Sequence, residues 1–235
     1  RLLQISLMKG IDFLFNAPFE KIEKRKDGSL LIHMMDHEPL EADVLIFAVG
    51  RAPNTEGLGL EKADVELGKN GAILVDEDNQ SSCPSIYAIG DVTDRVQLTP
   101  VAIREGQAFA DTLFGGKPTR VDYSVIPSAV FSHPPLAGVG MTEGEARDKL
   151  GSVKTYVSDF RPMKNVLAGR NERSLYKLVV DEATEEVVGI HMIGPDAPEI
   201  LQAAAIAVKA KLRKSQFDEV IALHPTMAEE LVLMK

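Results

Sequence analysis

One cysteine, Cys83, is all that this 235-residue chain contains. A lone thiol forms no internal disulfide and points to a reducing, cytosolic setting. Any redox-active cysteine pair serving this chain therefore lies outside it. Positive charge is also scarce: 26 Lys and Arg stand against 35 Asp and Glu, a formal net charge of -9. Such a chain has no generic attraction for phosphate backbones or anionic membrane surfaces, which argues against nucleic acid as a partner. No apolar run approaches the roughly 18 residues of a membrane-spanning helix. The opening Arg1-Leu2-Leu3-Gln4 lacks the charged head, apolar stretch and cleavage site of a secretory signal. A P-loop, an internal repeat and a low-complexity tract are missing too. His33, His37, His133 and His191 are scattered without metal-ligand spacing, so no zinc site is expected. Cys83, beside Pro84 in a turn, reads as a bystander rather than a nucleophile.

What is present is an ordinary globular balance, 45% hydrophobic and 26% charged, in a length that suits one large domain or two smaller ones. Residues 1–9 read as the end of a helix, stopped by Gly10. Ile11–Phe15 reads as a short strand. Alternation over Phe19–Lys26 and Ser29–Met35, around Asp27-Gly28, predicts a hairpin. The apolar run Asp43–Gly50 suits a strand buried on both faces. Residues 51–72 read as loop, and Ile73–Val75 and Ser85–Ile89 as further strands. A helix is expected from Leu98 or Thr99 to about Phe114, with Pro100 in its first turn and Gly115-Gly116 at its end. Lys117–Tyr123 marks a linker. Beyond it come a strand at Val125–Phe131, a helix at Thr142–Leu150 and a strand at Val153–Phe160. An antiparallel pair, Leu175–Asp181 and Val187–Ile193, leads to a long amphipathic helix at Ala197–Lys211. A last helix spans Met227–Met234.

Three segments carry candidate chemistry. Val44–Gly50 continues into Arg51-Ala52-Pro53-Asn54, and a strand ending in glycine lets backbone approach a ligand closely. Taken alone, it is more simply a strand entering a turn. In Ile86–Val92 a strand ends in Gly90-Asp91, and a helix starts a few residues later at Leu98-Thr99-Pro100. The carboxylate is placed to accept hydrogen bonds from sugar or ribityl hydroxyls. The helix start offers free N–H groups and a positive dipole end, which suits the negative charge of a reduced flavin. Third, Pro225 fixes the backbone after His224, and Glu229 follows one turn later. A carboxylate on one imidazole nitrogen makes the other a better base, and thiol–disulfide exchange needs a proton donor for the departing thiolate. A histidine preceding an amphipathic helix explains the same residues equally well. Gly138-Val139-Gly140-Met141-Thr142-Glu143 is a near miss to a dinucleotide motif, with Glu143 where the third glycine belongs, and is discounted as a nucleotide site.

The order of these segments resembles the second half of the pyridine nucleotide–disulfide oxidoreductases. The resemblance rests on Ala48–Thr55, Tyr87–Asp91, Leu98–Ala102, Pro127–Phe131 and His224–Glu230. Phe160–Asn165 with Gly169-Arg170, and the ending Glu229–Met234, are most similar to the glutathione reductase branch. The resemblance implies an α/β chain in three parts. Residues 1–52 end a nicotinamide-nucleotide domain, 53–123 are the central part of an FAD domain, and 124–235 form an α+β interface domain with an antiparallel sheet that builds a homodimer. It further implies FAD held by Gly90 and Asp91, with Leu98 and Thr99 near the ring. Gly50, Arg51 and Val130 line the nicotinamide-nucleotide site, with Gln97 as a further member. His224 is the acid–base residue, oriented by Glu229 and acting in the partner's active site, and Thr226 touches the disulfide substrate.

Expected of the intact enzyme are FAD and NADP as cofactors, glutathione disulfide as substrate and a cytoplasmic location. By the same resemblance the cysteine pair and both dinucleotide motifs precede this segment, so the segment alone is expected to be inactive. Gln107 departs from the pattern: many glutathione reductases carry there an arginine that meets a glutathione carboxylate. That neutral amide keeps trypanothione reductase as an alternative, and dihydrolipoamide dehydrogenase and soluble transhydrogenase, which share the His-Pro-Thr ending, stay as alternatives too. So does a non-catalytic dimerisation module.

Overall fold

The computed structural model describes residues 1–235, which divide into two compact units. One is Leu14–Asp122. The other joins Arg1–Phe13 to Tyr123–Lys235. Helix α1 (Leu2–Met8) opens the chain, and the amide of Gly10 closes its end by donating to Leu7 O.

In the unit of residues 14–122, strands β1 (Phe19–Lys24), β2 (Leu30–Met34) and β3 (Leu40–Ala42) form an antiparallel sheet in that order. Asp27 builds the β1–β2 turn, its carboxylate accepting from the amide and hydroxyl of Ser29. From residue 64 to 92 the chain folds through single β-bridges, Leu67 with Ile73, Val75 with Ser81 and Gln80 with Tyr87. They enclose a small core of Val65, Ile73 and Ala88. A 3-10 turn, Gly90–Thr93, then precedes α2 (Thr99–Leu113). Helix α2 buries Val101, Glu105 and Ala108, a stripe at the i, i+4, i+7 spacing of one helix face.

In the unit of residues 123–235, a five-stranded antiparallel sheet runs β4-β5-β8-β7-β6. Its strands are β4 (Ser128–Val130), β5 (Leu136–Gly140), β6 (Val153–Phe160), β7 (Ser174–Asp181) and β8 (Val187–Ile193). Helix α3 (Glu143–Leu150) begins in a capping box: the Thr142 hydroxyl accepts from the Glu145 amide, and the Glu145 carboxylate accepts from the Thr142 amide. Short helices α4 (Met163–Leu167), α6 (Lys214–Asp218) and α7 (Glu230–Leu233) fill connections. Helix α5 (Ala197–Lys209) lies on β8 and β5. It turns Ala197, Leu201, Ala205 and Val208 into a core with Tyr176, Leu178, Ile190 and Met192. Full burial of a side chain such as Leu201 is worth about 1.5–3 kcal/mol, so this face fixes α5 on the sheet.

The expected mixed α/β class, with an antiparallel sheet in residues 124–235, is what the chain adopts. Several expected elements differ. Ile11–Phe15 and Asp43–Gly50 pair with no strand, and the second run is exposed rather than buried, with Val44 at 74%, Ile46 at 81% and Val49 at 90%. A strand exists through its ladder, and neither run has a neighbour within this chain to pair with. Ile73–Val75 and Ser85–Ile89 reduce to the single bridges above. The Val125–Phe131 strand shortens to β4. The last helix keeps only Glu230–Leu233, and the residues before it form a turn in which Thr226 and Glu229 bond each other's amides. Strand β5 coincides with the glycine-rich near miss to a dinucleotide motif. Gly140, at φ +75°, lies so close to β8 that a Cβ there would run into the Val188 carbonyl.

Candidate active site

Two groups of the expected residues are drawn together, each within its own unit. The first is the corner between the 3-10 turn and α2. The extended backbone of Ile89 enters Gly90, which adopts φ +71°. A Cβ on Gly90 would lie 2.9 Å from the Ala102 Cβ, so the turn packs directly on the first turns of α2 and only glycine fits there. The amide of Gly90 donates to Glu105 Oε2 at 2.5 Å, and Thr93 Oγ1 donates back to Gly90 O at 2.8 Å. Asp91 is thereby presented on an exposed turn.

Helix α2 starts without a side-chain cap. Leu98 occupies the N-cap position, Pro100 follows in the first turn, and no acidic residue lies there. Its positive end is left uncompensated by the protein itself. Thr99 is exposed at that end, whereas Gln97 turns aside and donates from Nε2 to Asp94 Oδ1 at 2.7 Å. An αL glycine against a helix, an outward carboxylate and a bare helix N-terminus fit a ligand that combines hydroxyls with negative charge, as a flavin cofactor does. Gly50 and Arg51 are exposed on irregular backbone, and Arg51 makes no hydrogen bond or ion pair. Val130 stands exposed at the end of β4, opposite Leu136.

The second group is the turn before α7. His224 Nδ1 lies 3.0 Å from Glu229 Oε2 and 3.2 Å from Oε1. A carboxylate only accepts, so Nδ1 carries the proton and Nε2 is left as the free nitrogen. The imidazole is 64% exposed, while the Glu229 side chain is 11% exposed. The carboxylate is thus a fixed base plate and the ring projects from it. Thr226 braces the turn: its amide donates to Glu229 Oε1, and its hydroxyl donates to Leu223 O and accepts from the Glu229 amide. The next residue, Glu230, accepts from Ser158 Oγ of β6 at 2.6 Å. This arrangement can hand a proton from Nε2 to an acceptor outside the unit and recover it with the ring orientation unchanged.

Comparison with known proteins gives the frame. Residues 1–106 match the family model described as pyridine nucleotide-disulphide oxidoreductase, and residues 126–235 match that of the pyridine nucleotide-disulphide oxidoreductase dimerisation domain. The chain belongs to the pyridine nucleotide–disulphide oxidoreductase family. Among curated members, the glutathione reductase of Burkholderia cepacia is 48% identical, over 96% of this chain and 50% of its own length. The chloroplastic/mitochondrial glutathione reductase of Pisum sativum is 48% identical over 96% of this chain and 41% of its own length. The trypanothione reductase of Trypanosoma congolense is 43% identical over 96% and 46%. The chain therefore spans about half the length of the members it matches. Among solved structures, the HOCl-induced flavoprotein disulfide reductase RclA from Escherichia coli superposes with a TM-score of 0.89 at 28% identity, over 98% of this chain and 53% of that one.

Within this family frame, sequence reasoning missed one residue of the first corner. Glu105 is 1% exposed and holds the Gly90 amide. The signal was legible: a carboxylate on the same helix stripe as Val101 and Ala108 is a charged residue at a core position, and a buried charge needs a partner.

Proposed function

We propose that this chain forms the interface and acid–base part of an FAD-dependent, NADPH-using disulfide reductase that acts as a homodimer on glutathione disulfide. The observation that carries the reading is the His224–Glu229 pair, exposed at its free nitrogen and fixed at its base. When bound, FAD supplies the electron relay between the nicotinamide and a cysteine pair. Gly90 and Asp91 would hold its ribityl and phosphate region, and Leu98 and Thr99, at the bare start of α2, would contact it near the ring. Gly50 and Arg51, and with them Gln97, would contact the nicotinamide nucleotide when it is bound; Val130 of the other unit is a further candidate contact.

The cysteine pair stands outside these residues, since Cys83 is the single thiol here. Its attacking thiolate forms a mixed disulfide and expels one substrate thiolate. His224, protonated at Nε2, gives that proton to the leaving sulfur, and Glu229 stabilises the charged ring throughout. Thr226 sits beside the same sulfur. His224 serves the partner subunit's centre, which accounts for a ring this exposed on its own subunit.

A second reading concerns the substrate. Gln107, exposed on α2, donates from Nε2 to Asp111 Oδ1 at 2.7 Å, so this stretch of helix shows a neutral amide backed by a carboxylate. That favours a disulfide carrying less negative charge than glutathione disulfide, as trypanothione disulfide does. Turnover of the full-length enzyme on glutathione, trypanothione and lipoamide disulfides separates the readings. For the core proposal, His224→Ala in the full-length enzyme is expected to lower disulfide turnover by roughly 100-fold or more. Bleaching of the flavin absorbance by reduced nucleotide stays fast. Turnover near the unmodified level in that variant removes His224 from its role.

A further inference from the structure

The segment that carries His224 and Glu229 has little regular structure: between α6 and the C-terminus only Glu230–Leu233 is helical. Something else has to fix it. One fastening is the Ser158–Glu230 hydrogen bond to β6. Burial of Leu231 and Met234 in the main core is another. The third is a lysine. Lys214, at the start of α6, is only 5% exposed, unusual for an ammonium group. Its Nζ donates to the backbone carbonyl of Met234 at 2.7 Å and to the Asp218 carboxylate, and it lies 4.5 Å from the centre of the Tyr156 ring. A buried ammonium has three donors to satisfy, and here a carbonyl, a carboxylate and an aromatic face surround it. Burial pushes the Asp218 carboxyl up, but Lys214 and Lys235 outweigh this and hold it below the ordinary carboxylate range. The lysine's counter-charge is therefore permanent near neutral pH.

We infer that Lys214 is a positioning residue: through Met234 O it pins the far end of the turn-and-helix segment that orients the His224–Glu229 pair. Glu230–Ser158 fixes the near end of α7 and Lys214–Met234 the far end, so Glu229, one residue before α7, is held against β6 at a set height. The inference rests on the acid–base reading for its functional half, but its structural half stands alone.

The test has two arms. Hydrogen exchange on the 235-residue chain is expected to quicken in residues 223–235 of Lys214→Met and to return toward the unmodified rate in Lys214→Arg, which keeps charged donors. In the full-length enzyme, kcat for disulfide reduction is expected to fall roughly tenfold in Lys214→Met, because misplacing a proton donor by a fraction of an ångström costs that order. KM stays within about twofold and flavin reduction by reduced nucleotide is unaltered. Where Lys214→Met does not fold, Asp218→Asn weakens the same clamp and is expected to give the same pattern more mildly. Unchanged exchange at 223–235 overturns the pin whatever the enzyme does. Faster exchange with unchanged kcat overturns the positioning role. Normal turnover in His224→Ala removes the acid–base reading instead, and the pin then stands or falls on the exchange rates alone.

Discussion

Residues 14–122 and 123–235 use apolar sequence in opposite ways. In 123–235 every strand of the sheet finds its neighbour in the same unit, and α5 closes over β5 and β8, so Tyr176, Leu178, Val179 and Ile190 are fully buried. In 14–122 the largest run of apolar residues, Val44–Val49, stays outside, and the cluster of buried apolar residues is the small one of Val65, Ile73 and Ala88, with Ile32, Val101 and Ala108 buried apart from it. What differs is whether a ladder partner and a covering layer exist within the chain. Hydrophobicity asks for burial, and pairing decides whether that burial takes the form of a strand.

The comparison is broken most directly by truncating one residue from each side. Ile190→Ala is expected to destabilise the unit of residues 123–235 by about 2–5 kcal/mol, through lost transfer energy and a cavity. Ile46→Ala is expected to change stability by less than about 0.5 kcal/mol, because its side chain is already in water. Urea denaturation followed by circular dichroism measures both, and equal effects erase the contrast.

A smaller effect tests whether 14–122 is ordered by specific bonds where it lacks a large core. Glu105→Ala leaves the buried Gly90 amide without its acceptor, at a cost of about 1–3 kcal/mol. Faster hydrogen exchange is expected at Gly90–Thr93, with Glu105→Gln intermediate. A loss with no change at that turn shows that the bond is incidental.

The smallest effect at neutral pH lies within the large core. Tyr176 is fully buried, its hydroxyl finds no hydrogen-bond partner in the protein, and burial first, then the charges of Asp196 and Glu230, push the phenol far above its ordinary value. The unfolded chain then loses this proton at about pH 10, before the folded one does. The unfolded state binds fewer protons above that point, so stability is full below about pH 10 and declines as pH rises past it. Tyr176→Phe is expected to be within about 1 kcal/mol of neutral at pH 7, since no partner is orphaned. It is also expected to flatten the alkaline decline. Denaturation midpoints at about pH 7 and about pH 10.5, on either side of the phenol's ordinary value, decide this, and an unchanged alkaline slope removes Tyr176 as its source.

The same contrast explains what could be read in advance. Helix α2, the β7–β8 pair and α5 were legible because their periodicity and their packing partners belong to one segment of sequence. The irregular backbone of Asp43–Gly50 was not, because an apolar run does not say whether a ladder partner exists, and here none pairs with it. Strand β5 was hidden by Gly138, which leaves room for the His191 ring, and Gly140, which lets the β5 backbone approach the Val188 carbonyl. At the site, the His224–Glu229 pairing followed from its spacing. The shortening of the last helix did not, because nothing in the pattern Met227–Met234 marks where regular helix begins. Lys214 left no trace in the pattern: a lysine looks like surface until the carbonyl it meets, 20 residues away in sequence, is known.

The uncapped start of α2 links two equilibria that are usually considered apart. With Leu98 at the N-cap and no acidic residue in the first turn, the helix forgoes about 1 kcal/mol that a serine or aspartate would contribute. A negative group arriving from outside supplies that missing interaction. Its affinity and the thermal resistance of residues 90–113 then rise together, each measurable through the other.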